Sequence, residues 1–200
     1  MKNRYENLYK IIDEIKPKDI LEVGTHNGIQ AKKMILLAQN YQLPESISYY
    51  GFDLWEDLTP EQKEYEHCGK CIATYALAEK NTTIRGCAIN LIKGNTRQTL
   101  QTFAFGNEKF VDFAFIDGGH HYKTIASDWE NVRKVMKKGG VVVFDDFYTW
   151  PSTQEENYDI GCNRTINDII IKGQNVVTFL QPLDTDTNEI HKIRMIRVDI

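Results

Sequence analysis

Asp19-Ile20-Leu21-Glu22-Val23-Gly24-Thr25-His26-Asn27-Gly28 is the stretch that decides the fold. A short apolar run stops on a glycine, passes through a polar turn, and reaches a second glycine. Ile29, Lys32, Lys33, Ile35 and Leu36 then follow in a pattern that predicts a helix over about residues 28–40. Strand, tight turn and helix in that order open a βαβ unit. Glycines at such a turn let the chain bend sharply and let a ligand lie against backbone at a helix N-terminus. An ordinary strand-to-helix turn uses the same residues. The spacing is G-x-x-x-G and not G-x-G-x-x-G, which counts against a nicotinamide dinucleotide.

The same alternation continues on both sides. Upstream, Leu8, Ile11, Ile12 and Ile15 share one helical face, so residues about 4–15 form a helix that Pro17 ends. Downstream, Ser48–Asp53, Ala88–Gly94, Val111–Asp117 and Val141–Asp145 read as strands two to five, the fourth apolar enough to be central. A helix over about 121–137 is closed by Lys137-Lys138-Gly139-Gly140, and another covers 163–172. Asn175–Leu180 and Lys192–Val198 flank the turn-rich run Asp184–Asn188 with no room for a helix, so they pair as an antiparallel hairpin. The result is an α/β doubly wound, mostly parallel sheet with an antiparallel C-terminal hairpin. A dinucleotide-binding domain would continue with a sixth parallel strand instead.

With 200 residues, the chain suits one domain spanning 1–200, able to bury roughly 70% of its unfolded surface. Residues 54–80 lengthen the second crossover. Thr59 as N-cap and Pro60 at the first helical position start a helix there, and the segment reads as a helical insert or lid. The formal net charge of −4 gives no bulk attraction to nucleic acid. No apolar run is long enough to span a bilayer and the N-terminus has no signal-peptide core, so a cytoplasmic location is expected. Homo-oligomers are compatible with the composition. Cys68 and Cys71 make a C-x-x-C in a polar, helical-looking stretch. Cys87 and Cys162 stand apart, so zinc lacks a second pair, and a structural or incidental role is favoured over a metal or redox one.

In open α/β sheets ligands bind beyond the carboxyl ends of the strands. Those ends are Gly24–Gly28, Asp53–Leu54, Gly94–Thr96, Asp117–Tyr122 and Asp145–Tyr148. An acidic residue ending the second strand, here Asp53, can accept both hydroxyls of a ribose. Taken together, Leu21–Gly28, Gly51-Phe52-Asp53-Leu54, Lys93-Gly94-Asn95-Thr96, Phe115–Tyr122 and Gly139–Asp146 resemble the class I S-adenosylmethionine-dependent methyltransferases. Within that class the chain is most similar to the small group with Asp-Gly-x-His-x-Tyr after strand four. The resemblance implies a Rossmann-like sheet of seven strands in the order 3-2-1-4-5-7-6, with S-adenosyl-L-methionine as cofactor. It also implies that Gly24 and Gly28, with Thr25, His26 and Asn27 between them, border the methionine end. Glu22 would orient the loop or the cofactor ammonium, Asp53 the ribose, and Leu54, Asn95 and Thr96 the adenine, with Asp117 and Gly118 under the sulfonium. His26 departs from the glycine many relatives carry.

Methyl transfer to oxygen needs positioning and removal of a proton. Two devices are visible. Asp117, Asp145 and Asp146 end adjacent strands and repel one another unless a cation joins them, which suits Mg²⁺ or another divalent ion. His120, at the motif position, is favoured over His121 as a general base, and Asp117 is the second candidate catalytic residue. Phe147, Tyr148 and Trp150 are candidates for an acceptor pocket, though packing explains them equally. The expected activity is O-methylation of a small-molecule or sugar hydroxyl. The alternatives are a cofactor-binding module without methyl transfer and a nicotinamide-dependent oxidoreductase.

Overall fold

The computed structural model describes residues 4–107, 109–149, 159–181 and 192–200. A seven-stranded sheet forms its centre. β1 (Asp19–Val23), β2 (Ser48–Asp53), β3 (Ala88–Lys93), β4 (Val111–Ile116) and β5 (Met136–Thr149) run parallel, while β7 (Lys192–Asp199) is antiparallel to both β5 and β6 (Val176–Phe179). The order is β3-β2-β1-β4-β5-β7-β6, as the resemblance implies. The chain reverses its direction of winding between β1 and β4, so the carboxyl ends of those two strands border the switch-point crevice.

Alternation along the central strands builds two cores. Ile20, Phe113, Phe115, Val141 and Val143 face α1 (Tyr5–Ile15) and α2 (Ile29–Ala38). Leu21, Val23, Ala114, Ile116, Val142 and Phe144 face α5 (Thr96–Ala104), α6 (Tyr122–Val135) and α7 (Asn163–Lys172). A strand covered on both faces has no polar side, which is why β4 reads as a continuous apolar run. In the long crossover, α3 (Pro60–Tyr65) starts with the expected cap. The Thr59 hydroxyl accepts from Gln62 N, and the Gln62 side chain accepts from Thr59 N. α4 (Tyr75–Thr82) follows. Cys68 and Cys71 lie in the irregular loop between these helices and not in a helix; all four cysteines are free.

β5 departs most from the sequence reading. Lys137-Lys138-Gly139-Gly140 does not close a helix. α6 stops at Val135, and Met136 already pairs with Val111. At its far end β5 runs on to Thr149 because Phe147, Tyr148 and Thr149 pair with β7. Between the two registers lies a bulge after Phe144, with Asp146 in a left-handed conformation (φ 59°). Bulges re-aim side chains, and this one sets the direction of Asp145 and Asp146. Phe147 packs edge-on against Phe179, and the Tyr148 ring lies over Gly161, so neither lines an acceptor pocket. Trp150 and the turn 184–188 lie outside the described residues.

Gly24, with φ 92°, sits where the ends of β1 and β4 meet. A Cβ there would lie 2.1 Å from the carbonyl oxygen of Asp117. Left-handed strain and a backbone collision that no rotamer can relieve add together. Gly24→Ala is therefore expected to cost about 3–5 kcal/mol, read by urea unfolding. A loss below about 1 kcal/mol would mean that the strand ends can part freely.

Candidate functional site

A cavity of about 500 Å³ opens at the switch point. Glu22, Gly24, Thr25, His26, Asn27, Asp53, Leu54, Asn95, Thr96, Asp117 and Gly118 all border it, each delivered by the end of a strand or the turn after it. Gly28 does not. Its missing side chain makes room for α4, since a Cβ would meet the Ala78 carbonyl and Thr82 at 2.9 Å. This glycine belongs to helix packing and not to the cavity wall.

One wall is a hydrogen-bonded ring around Asp53. Its Oδ2 accepts from His26 N at 2.7 Å, and its Oδ1 accepts from Trp55 N at 2.9 Å. The Trp55 indole donates to the His26 carbonyl at 2.8 Å. His26 holds φ 50°, and its ring Nε2 meets the Cys71 carbonyl at 2.8 Å, so the residue in the expected glycine position ties the first turn to the 54–80 segment. Glu22 is buried and accepts from the Tyr49 hydroxyl, which in turn meets Thr25 Oγ1 at 3.2 Å. Burial pushes the Glu22 carboxyl up to about 8 against the opposing pull of Tyr49. A site buried this deeply keeps a carboxyl neutral until a cation arrives beside it.

Asp117 stands at the floor. Tyr5 donates its hydroxyl to Oδ2 at 3.2 Å, Lys70 Nζ lies 3.8 Å from the same oxygen, and Oδ1 is buried with no hydrogen-bond partner among the described residues. Burial raises this carboxyl, and Lys70 pulls it back. A buried carboxylate oxygen without such a partner, on a residue that borders the cavity, is a group whose charge is left uncompensated.

Two expectations need correction. The three aspartates lie close together but do not form one ligand set. Arg4 Nε donates to both oxygens of Asp145, at 2.7 and 2.9 Å, and neither Asp145 nor Asp146 borders the main cavity. The donors that do gather, all within 4.8 Å of one another, are those of Asp117, His120 and Asp146. The divalent ion expected for the three aspartates therefore does not fit them as a set. Burial raises Asp145, helped by Asp146 and Asp117, while Arg4 opposes.

His120, the expected general base, has both nitrogens against oxygen acceptors, Asp146 Oδ2 at 3.0 Å and the His67 carbonyl at 3.4 Å. Two acceptors favour the doubly protonated ring. Burial disfavours that charge, yet the hydrogen bond and charge of Asp146 outweigh it and lift the imidazole to about 9. This pairing favours the charged ring over the neutral one that a general base needs.

The sequence reading missed Arg4, Tyr5, Lys70, Glu66 and Arg97. Glu66 accepts from His121 N at 2.9 Å and from Thr124 Oγ1 at 2.6 Å, and Arg97 donates to Thr124 Oγ1 at 3.1 Å. His121 stacks on Tyr65, centroids 4.2 Å apart, and caps α6 through Lys123 N, a structural role. Tyr122 donates to Asp168 at 3.2 Å and lies under Arg164, as local packing requires.

The His120 pairing has a pH signature. A ring whose folded value exceeds its unfolded one contributes stability in full below about pH 6.5 and loses it as pH rises towards 9. Wild type should lose of order 3 kcal/mol across that window that His120→Asn does not, measured by urea unfolding at each pH. An equal loss in both proteins would remove the assigned charge from His120.

Comparison with known proteins agrees with this fold. Residues 21–147 match a family described as a methyltransferase domain. The fold is shared with an O-methyltransferase from Bacillus cereus solved in complex with SAH (TM-score 0.67, 14% identity, 98% of this chain and 80% of that one). It is shared also with the O-methyltransferase TomG from Streptomyces achromogenes, solved with SAM (0.64, 16%, 97% and 78%). A putative rRNA-methylase from Clostridium thermocellum is similar as well (0.61, 12%, 100% and 99%). A 42-residue stretch is 43% identical to the uncharacterized protein R132 of Acanthamoeba polyphaga mimivirus, spanning about a fifth of that protein, 19%. No helix among the described residues is long and apolar enough to cross a membrane. The match runs from within β1 to within β5 and takes in every strand-end turn of the cavity, and on that ground the chain belongs to the methyltransferase domain family.

Proposed function

We propose that this methyltransferase uses S-adenosyl-L-methionine and methylates a hydroxyl oxygen of a small molecule or sugar. The observation that carries the reading is the Asp53 carboxylate on the wall of a roughly 500 Å³ cavity, two strands from an orphaned Asp117 oxygen. Each Asp53 oxygen has accepted one backbone N–H and keeps a lone pair for a ribose hydroxyl. Leu54, Asn95 and Thr96 would flank the adenine, Gly24 to Asn27 would follow the methionine part, and Glu22 would ionise against its ammonium. Asp117 and Gly118 would underlie the sulfonium. Bound there, the cofactor supplies an electrophilic methyl group.

The chain's own contribution is to align the acceptor and receive its proton. Asp117 borders the cavity, and burial raises its carboxyl and so makes it a stronger base than an exposed aspartate. His120 serves as a fixed cation beside Asp146. The 54–80 segment acts as a lid: Leu58, Gln62, Tyr65, Lys70 and Ile72 all border the cavity. An RNA acceptor finds little support in a net charge of −4.

Calorimetry with S-adenosylmethionine tests the reading. Two hydroxyl bonds to a carboxylate are worth about 1.5–3 kcal/mol each, so Asp53→Ala should weaken binding by about 100-fold or more. Unchanged affinity in a folded variant would end the assignment. Turnover across a panel of hydroxylated acceptors tests transfer. Tight binding with no product from any of them would identify a binding module instead.

A further inference from the structure

The carboxylates at the ends of β4 and β5 come with cations of their own. Arg4, just before α1, grips Asp145 through Nε at 2.7 and 2.9 Å, and its Nη2 stands 4.0 Å from Asp146. Lys70, from the loop between α3 and α4, reaches within 3.8 Å of Asp117. The two come from segments far apart in sequence and converge on one buried patch. We propose that Arg4 and Lys70 are resident counter-cations that take the seat of a divalent ion, so that this site works without a bound metal.

Three carboxylates gathered out of water need compensating charge. A guanidinium is permanently charged, and its planar fork suits a carboxylate or an adjacent pair of them. Arg4 thus bridges Asp145 and Asp146 as a metal would. The Arg4 side chain is 17% exposed and the Asp145 side chain fully buried, so an entering ion would have to evict a largely desolvated partner. Space argues the same way. The void beside Asp117, Asp145 and Asp146 is about 10 Å³, too small for Mg²⁺ with the waters it keeps. Lys70 is the looser of the two, with its side chain 49% exposed, and it borders the main cavity.

The proposal concerns the charge balance of the cluster alone. Its test needs neither cofactor nor acceptor, so its failure is separable from failure of the methyl-transfer reading. Mn²⁺ is titrated into wild type, Lys70→Met, Arg4→Met/Lys70→Met, and that double variant with Asp146→Asn, following water-proton relaxation. Wild type should show no saturable binding below about 1 mM. The double variant should gain a site at least about tenfold tighter, through Asp117, His120 and Asp146, and Asp146→Asn should abolish it. Should the double variant fail to fold by circular dichroism, Lys70→Met, altered only in a half-exposed loop residue, should still tighten Mn²⁺ by about threefold. Micromolar binding to wild type that Asp146→Asn removes would overturn the proposal. So would a folded variant that gains nothing.

Discussion

The cavity exists because the backbones of β1 and β4 come together beyond their last paired residues. Gly24 N donates to Phe52 O, Asp117 N donates to Val23 O, each at 2.8 Å, and the missing Gly24 side chain leaves the Asp117 carbonyl room to approach. That contact fixes where the Asp117 side chain starts. It also directs the chain through Thr25 and His26 towards Asp53. Ligand sites at switch points need this rigidity, since positioning supplies much of the rate in a displacement reaction.

On this frame the long second crossover is pinned at several points. His26 holds the Cys71 carbonyl, Trp55 is buried and holds His26, and Glu66 holds the loop after β4 at His121 and Thr124. The segment therefore binds the same turns that border the cavity, and moving it would disturb Asp53 and His120 together. The bulge in β5 does the corresponding work on the opposite side. By turning Asp145 towards Arg4 and Asp146 towards His120, it couples the N-terminus to the strand ends.

Charge then decides roles among similar residues. Glu22, Asp117 and Asp145 are all pushed up by burial, yet one has a tyrosine, one a tyrosine and a lysine, and one an arginine. Only Asp117 combines a place on the main cavity with a buried oxygen that has no partner among the described residues. His120 lies beside it and is paired with Asp146.

The sequence by itself determined the strands, the order in which helices alternate with them, and the turns that end on polar residues. Those features are local: apolar runs, a proline and glycine stops, and a Thr-x-x-Gln cap each act over a few residues. Asp53, Asp117 and the Gly24 turn were legible for the same reason, since each follows directly from a strand end. The tertiary structure alone decided the extended β5, the packing role of Gly28, the pairing of Asp145 with Arg4, and the pairing of His120 with Asp146. These depend on partners distant in sequence or on a neighbouring strand's register, and burial then sets the charge of the ionisable ones. Periodicity carries no record of either.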